Sequence, residues 1–220
     1  MSVVGIVPAG GSGERLGADR PKAFVLLGGR PLLDWSLEAL SESCDRVVAA
    51  VPPGHEQPPD RVAGGASRSE SVRNALAAAP DATIAVVHDA ARPLVAPDLV
   101  RRCLDALVDG VDGAIAAAPV TDTVKEVDDD GLVMRTLDRG RLWAIQTPQV
   151  FRADVLRRAL EASAETLAAA TDDASLVEAA GGRVMVVEAP PENVKVTSPL
   201  DLKLAEALLS PPPSRSEGGR

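Results

Sequence analysis

Short runs dominated by Val, Ile and Ala recur along this chain, and they limit its fold more than any other feature. They occupy residues 3–7, 46–51, 83–87 and 113–118, with a last one at 183–188 and a shorter one at 61–63. Runs of this length, apolar almost throughout, read as strands buried on both faces. The segments between them carry apolar residues at helical spacing. One helix begins at Pro31 as its first residue and carries Leu32, Leu33, Trp35, Leu37 and Leu40. Two more span 69–79 and 97–108, the first turning Val72, Ala75 and Leu76 inward. A fourth covers 153–162, and a fifth is capped by Thr171 and ended by Gly181 and Gly182. A final helix opens at Ser198-Pro199 with Leu200, Leu204, Ala207 and Leu208 along one face. Strands alternating with helices predict an α/β fold: a Rossmann-like, doubly wound, mostly parallel sheet. At 220 residues the chain fits one such domain, residues 1–209, followed by a Pro-, Ser- and Gly-rich tail, 210–220, expected to be disordered.

The rhythm breaks once. Residues 121–127 alternate charged and apolar side chains, 128–131 make a turn, and 132–137 follow. That is a β-hairpin signature, and a lone hairpin is marginal in water unless it packs on something. Residues 119–150 are therefore expected to form an arm that leaves the domain and packs on a second subunit.

Composition narrows the function. A net charge of −9 argues against a nucleic-acid or anionic membrane surface. With no Tyr, two Phe and two Trp, the chain lacks the stacking platforms of single-stranded nucleic-acid binders. Cys44 and Cys103 have no metal-binding spacing and read as buried thiols. No signal peptide and no bilayer-spanning run are visible, so a soluble cytoplasmic protein is expected.

The stretch 8–22, Pro-Ala-Gly-Gly-Ser-Gly-Glu-Arg-Leu-Gly-Ala-Asp-Arg-Pro-Lys, follows the first strand. Gly10, Gly11 and Gly13 leave backbone N–H groups free to close on an anion, and Arg15 and Lys22 add full charges. It is not a Walker A loop, because no glycine precedes Lys22 and Ala23 follows it. Nor is it the dinucleotide fingerprint, whose third glycine is replaced by Leu16. It resembles the opening loop of nucleotidyltransferases, which join a nucleoside triphosphate to a phosphate ester.

Three further segments carry chemistry. His88-Asp89-Ala90-Ala91-Arg92-Pro93 follows a central strand, where ligands of doubly wound folds bind. Asp89 there can hold Mg²⁺ and Arg92 a phosphate, while His88 reads as a packed strand-end histidine. The turn 64–71 runs into a helix, with Gly64 and Gly65 offering N–H groups and Arg68 and Ser71 offering side chains. Lys195, after the last strand, is a third cation.

Taken together, these segments are similar to one family. Residues 8–15, Pro21-Lys22, 64–71, 88–93, 119–125, Gln146-Thr147-Pro148-Gln149, 171–175 and 193–197 lie in the order found in the 2-C-methyl-D-erythritol 4-phosphate cytidylyltransferases of non-mevalonate isoprenoid synthesis. Gly-Glu-Arg-Leu at 13–16 and the Gln-Thr-Pro-Gln run resemble actinobacterial members most. The resemblance implies CTP and methylerythritol phosphate as substrates, Mg²⁺ as cofactor with Mn²⁺ as an alternative, and a homodimer. It implies Arg15, Lys22 and Lys195 as catalytic cations. Ala9, Gly10, Gly11, Gly13, Gly64, Gly65, Arg68, Ser71 and Asp89 would surround the nucleotide. Asp89 would sit by both the metal and the acceptor, with Arg92. Thr123, Arg139 and Thr147 would reach the partner's acceptor pocket, which Thr171 completes. Gly10 stands where most members have Ala, and Ala66 where some have an acidic residue.

The implied reaction needs no protein nucleophile: the acceptor phosphate attacks the α-phosphorus and pyrophosphate leaves in line. Positioning and charge stabilisation then do the work. The alternatives are a cytidylyltransferase for another polyol phosphate, such as ribitol 5-phosphate, and a non-catalytic nucleotide-binding module. Retention of Arg15, Lys22, Asp89 and Lys195 together argues against the second. A glycosyltransferase would usually show two Asp around one residue at a strand end for its metal, whereas the Asp172-Asp173 pair follows a predicted loop and not a strand.

Overall fold

Strand β1 (Val3–Pro8) opens the fold, as its apolar run predicts. The computed structural model describes residues 1–10 and 20–209; Gly11, Gly13 and Arg15, and the tail 210–220, lie outside the described residues. After a 3-10 turn at Lys22–Phe24 come two short strands, β2 (Leu26–Leu27) and β3 (Arg30–Pro31), paired with each other. Helix α1 (Leu32–Ser41) follows, then β4 (Arg46–Val51), β5 (Arg61–Ala63) and α2 (Arg68–Ala77). Next are β6 (Ile84–Val87), α3 (Pro97–Asp105) and β7 (Gly113–Pro119). The hairpin is β8 (Lys125–Val127) and β9 (Val133–Thr136), and β10 (Trp143–Arg152) returns to the body. Helices α4 (Ala153–Ala159), α5 (Ala164–Ala169) and α6 (Asp173–Ala179), strand β11 (Val184–Glu188) and helix α7 (Pro199–Leu209) complete the order.

Seven strands form one sheet in the order β11-β7-β10-β6-β1-β4-β5. The pairs β1–β4, β1–β6, β4–β5 and β7–β11 are parallel, as expected. The exception is β10, which lies antiparallel between β6 and β7. The sequence predicts no strand there, because Pro148 interrupts the run, and a proline inside a central strand argues against one. The pairing shifts register between Ile145 and Gln149, so Pro148 sits at the irregularity and costs the ladder little.

Both faces of the sheet are covered. Val4, Ile6, Val48, Ala85, Val87 and Phe151 pack beneath α2, α4, α5 and α6. Val7, Ala49, Val51, Ile84, Val86 and Val150 pack beneath α1 and α3. Successive residues of one strand thus serve opposite faces, which is why the strands read as continuous rather than alternating runs. With so few aromatics, fully buried Phe151 is the largest side chain in this core.

Several helix boundaries differ from expectation for local reasons. Pro31 is the N-cap of α1 rather than its first residue. Asp172, not Thr171, caps α6: its carboxylate accepts from the Ser175 N–H. The final helix turns the opposite way from the expected face. Leu200, Leu204 and Leu208 are exposed, and Ala205 is fully buried with Leu202 and Leu209 beside it. Five leucines spread round one helix give no single stripe, and the small Ala205 allows the closest approach.

The arm region divides. β8 and β9 form a separate two-stranded sheet that does not join the body sheet. Its Val127, Leu132, Val133 and Met134 are exposed. Residues 143–150, by contrast, belong to β10 and to the body.

Candidate active site

Two adjoining clefts open at the carboxyl ends of β1 and β6, where the strand order reverses direction. The first is bounded by Ala9 and Gly10 after β1, Lys22, the 65–68 turn into α2, and Ser71. The second is bounded by Arg92, Gln146, Thr147, Gln149, Thr171 and Asp172. Arg68, Asp89 and Lys195 line both, and so form the wall between them.

That wall is a charge network. The Arg68 guanidinium donates to Asp89 Oδ1 at 3.1 Å and to Asp173 Oδ2 at 2.6 Å. Lys195 Nζ meets the other oxygen, Asp89 Oδ2, at 2.8 Å. Burial opposes ionisation of Asp89, but Arg68 and then Lys195 outweigh it and hold its carboxyl well below the usual carboxylate range. Burial likewise lowers the pKa of Arg68, and Asp173 and Asp89 more than reverse this. Asp89 is thus an anion and Arg68 a cation across the physiological range.

Behind the wall, His88 is fully buried. Its Nε2 lies 3.0 Å from the Arg92 carbonyl, which only accepts, so the proton is assigned to Nε2. Nδ1 then accepts from the Thr147 hydroxyl at 3.1 Å, and that oxygen accepts from the Asp89 N–H at 3.0 Å. Desolvation by burial pushes the His88 pKa down to about 4, so the ring is neutral at pH 7. Both nitrogens are engaged in structure, in agreement with the reading of His88 as a packed residue.

The entry to α2 corrects an expectation. The N–H groups of residues 64–67 are engaged within the turn rather than turned toward an anion. Gly64 donates to the Val51 carbonyl and Gly65 to Ser71 Oγ. Ala66 and Ser67 donate to the Glu70 carboxylate, and Glu70 to Ser67 Oγ, closing a capping box. The Ser71 hydroxyl also donates to the Ser67 carbonyl, so it too is spent within the turn. The sequence Ser-Arg-Ser-Glu signals this box, but the glycines before it draw the reading toward an anion site. Gly65 is required here for close approach: a Cβ would lie 2.3 Å from Glu70 Cβ. At Gly10 the nearest atom to an added Cβ among the described residues is Ser71 Oγ at 3.8 Å, which leaves room for a methyl on that side.

The structure brings together Ala9, Gly10, Lys22, Gly65, Arg68, Ser71, Asp89 and Lys195 at the first cleft, and Arg92, Thr147 and Thr171 at the second. Gly64 stands one residue behind the first cleft. The expectation that Thr147 reaches across to a partner is corrected: it is buried on β10 against its own chain's His88 and Asp89. Thr123 and Arg139 do not reach either cleft. Both are exposed, and Arg139 Nη1 donates to the Thr121 carbonyl in a 3-10 turn, Arg139–Arg141.

Three residues carry more of the site than the sequence suggests. Asn193 is buried; its amide donates to Gln146 Oε1 at 2.7 Å and the Thr147 carbonyl at 3.0 Å, and its own carbonyl accepts from Arg92 at 2.7 Å. Gln149 accepts from the Asp173 and Ala174 N–H groups and donates to Asp172. Asp173 is fully buried beneath Arg68. A polar run at 146–149 and an Asp pair at 172–173 are visible in the sequence, but nothing local says that they meet.

A doubly wound sheet that brings Lys22, Arg68, Arg92 and Lys195 to two clefts beside Asp89 at its switch point has the arrangement of a nucleotide-handling α/β enzyme. Comparison with known proteins makes this specific. The family model described as IspD, 2-C-methyl-D-erythritol 4-phosphate cytidylyltransferase, matches residues 3–211. An enzyme of that name from Nocardia farcinica is 47% identical over 220 residues, spanning 94% of each chain. The crystal structure of the one from Thermus thermophilus is 38% identical with a TM-score of 0.79, covering 94% of this chain and 98% of that one. The Francisella tularensis structure is 30% identical with a TM-score of 0.80, covering 95% and 100%. The chain belongs to the 2-C-methyl-D-erythritol 4-phosphate cytidylyltransferase family.

Proposed function

We propose that this chain transfers the cytidylyl group of CTP to 2-C-methyl-D-erythritol 4-phosphate and releases pyrophosphate, a step of isoprenoid biosynthesis. The observation that carries the reading is the pair of clefts sharing one charged wall, in a chain whose family membership spans residues 3–211. The triphosphate belongs to the first cleft, against the backbone of Ala9 and Gly10 and the ammonium of Lys22, with Arg15 of the same loop. The acceptor phosphate belongs to the second, against Arg92, Thr147 and Thr171.

An oxygen of the acceptor phosphate forms a bond to the α-phosphorus. The bond from that phosphorus to the bridging oxygen breaks, and pyrophosphate leaves with the electron pair. The attacking oxygen is already anionic near neutral pH, so no general base is required, and neutral His88 is committed elsewhere. The barrier lies in bringing two polyanions together and stabilising charge at the α-phosphate. Lys195 stands on the shared wall and faces both clefts. Its ion pair with Asp89 fixes it before substrate arrives, so little reorganisation is left for the reaction.

Mg²⁺ suits Asp89, a carboxylate held ionised at the cleft, in the one-carboxylate manner this ion favours with phosphate ligands. Among the described residues no three His, Cys, Asp or Glu side chains gather as a ligand set, so substrate oxygens would complete the shell. When bound, the ion would neutralise triphosphate charge; Mn²⁺ has the same donor preference.

The pair of clefts would be completed by a homodimer through the hairpin. Support comes from its separate sheet, its exposed Val127, Leu132, Val133 and Met134, and the fact that Thr123 and Arg139 line neither cleft of their own chain. Mixing an inactive Arg139→Ala chain with an inactive Lys195→Ala chain should restore activity; no recovery would remove the shared site. Among the described residues no helix is long and apolar enough to cross a membrane.

The test of the activity is pyrophosphate release from CTP with methylerythritol phosphate and ribitol 5-phosphate side by side. Release is expected with the first acceptor and far less with the second. Release with neither would refute the assignment.

A further inference from the structure

Asp173 occupies a costly position. It begins α6, but that helix is already capped by Asp172, whose carboxylate accepts from the Ser175 N–H at 3.0 Å. A carboxylate at a helix start ordinarily faces water, where the helix dipole favours it. Asp173 is instead fully buried, with its Oδ2 2.6 Å from Arg68 Nη1 and its Oδ1 without a hydrogen-bond partner among the described residues. Burying a carboxylate is expensive, and a buried ion pair contributes little net stability over apolar packing. Burial raises the pKa of Asp173 and the Arg68 guanidinium opposes that rise, so the position of this acid is explained by what it holds rather than by packing.

What it holds is Arg68. The guanidinium is gripped at both ends, by Asp173 through Nη1 and by Asp89 through Nε and Nη2 at 3.1 Å. A side chain of this length on the rim of two clefts meant for phosphates would otherwise swing toward whichever anion arrives. The backbone of Asp173 is fixed in turn: Gln149 on β10 accepts from its N–H at 3.2 Å and from that of Ala174. A continuous set of contacts thus runs from β10 through α6 to Arg68 on α2 and on to Asp89 after β6.

We propose that Asp173 is a positioning residue for the transfer reaction: it anchors Arg68 so that the guanidinium stays on the wall between the clefts and holds Asp89, instead of following substrate phosphate. Arg68 thereby keeps Asp89 oriented toward Lys195 and the triphosphate. The proposal rests on the two-cleft reading of the activity, but its failure would be distinguishable. Absence of pyrophosphate release by the unaltered enzyme removes that reading; the variants below address Asp173 alone.

The experiment is a double-mutant cycle on the full chain, read as kcat and both KM values in pyrophosphate release, with thermal melting as a check on folding. Asp173→Asn keeps the shape and removes the charge. It is expected to lower kcat about tenfold or more while the KM for CTP moves less than about threefold. In an Arg68→Gln background the same change should cost less than about twofold, because Asp173 then has nothing to anchor. An equal loss in both backgrounds, or no loss in the first, overturns the proposal. Arg68→Lys gives a second route that leaves Asp173 untouched. A lysine cannot span both carboxylates, so kcat should again fall about tenfold; wild-type turnover in this variant would equally overturn it.

Discussion

The two clefts are built differently. The first is made mostly from turns that directly follow strands: the loop after β1, the turn into α2, and the residues just after β6. The second is assembled from side chains far apart in sequence, from β10, the start of α6 and the segment after β11, tied by Asn193 and Gln149. One is a set of backbone turns, the other a network of buried hydrogen bonds. Turn-built sites tolerate side-chain change where backbone is used, whereas a network fails wherever one member is left unpaired. The charged wall belongs to both, so damage there should be the most severe.

Lys195→Ala should therefore show the largest effect, a fall in kcat of about 100–1000-fold, the usual cost of one preorganised charge donor. Steady-state pyrophosphate release measures it.

Acid should attack the second cleft first. The His88 pKa falls from 6.5 in the unfolded chain to about 4 when folded, so the unfolded chain binds the extra proton between those values. Its stability contribution is therefore complete above pH 6.5 and is lost as the pH falls toward 4. Within the difference between urea unfolding at pH 7 and near pH 4.5, His88 should account for about 2–3 kcal/mol, while Asp173, whose pKa burial raises, acts in the opposite direction. His88→Gln should flatten this part of the curve, and an unchanged slope would show that His88 is not its source. Asp89, with its lowered pKa, adds a further loss only below the ordinary carboxylate value.

Thr147→Val tests the network on a smaller scale. It leaves His88 Nδ1 and the Asp89 N–H unpaired in a buried place, at a cost of about 1–3 kcal/mol in stability. The acceptor KM should rise, while the KM for CTP stays within about threefold of wild type, because only the second cleft contains Thr147. The smallest effect is expected at Gly10→Ala in the first cleft, under about 0.5 kcal/mol, because among the described residues the methyl meets no close neighbour. Gly65→Ala, in the same cleft, should instead disrupt the capping box. Similar melting temperatures for the two variants would contradict the packing described.

The same contrast explains what could be read from the sequence. β1, β4, β5, β6, β7 and β11 were legible because each is a short, mostly apolar run. Much of the first cleft was legible because Gly10 and Asp89 closely follow β1 and β6, and Lys22 and Lys195 stand in the segments that leave β1 and β11. β10 was not, because Pro148 and the polar Gln146 and Gln149 hide a strand whose inward residues are Val150 and Phe151. Once β10 is missed, Thr147 falls on the arm instead of the body, and the meeting of Gln149 with Asp173 cannot be foreseen. α7 failed for another reason: leucines on several sides of a helix do not say which side is buried. Side-chain networks depend on tertiary placement, and a pattern along the chain reports only local geometry.

The most direct test of the two-cleft site is an initial-rate matrix, varying CTP against methylerythritol phosphate, for the wild type, Thr147→Val and Lys195→Ala. Separate clefts with one shared wall predict that Thr147→Val raises the acceptor KM alone and that Lys195→Ala lowers kcat at saturating levels of both substrates. A Lys195→Ala enzyme with near wild-type turnover, or a Thr147→Val change that falls equally on both KM values, would contradict it.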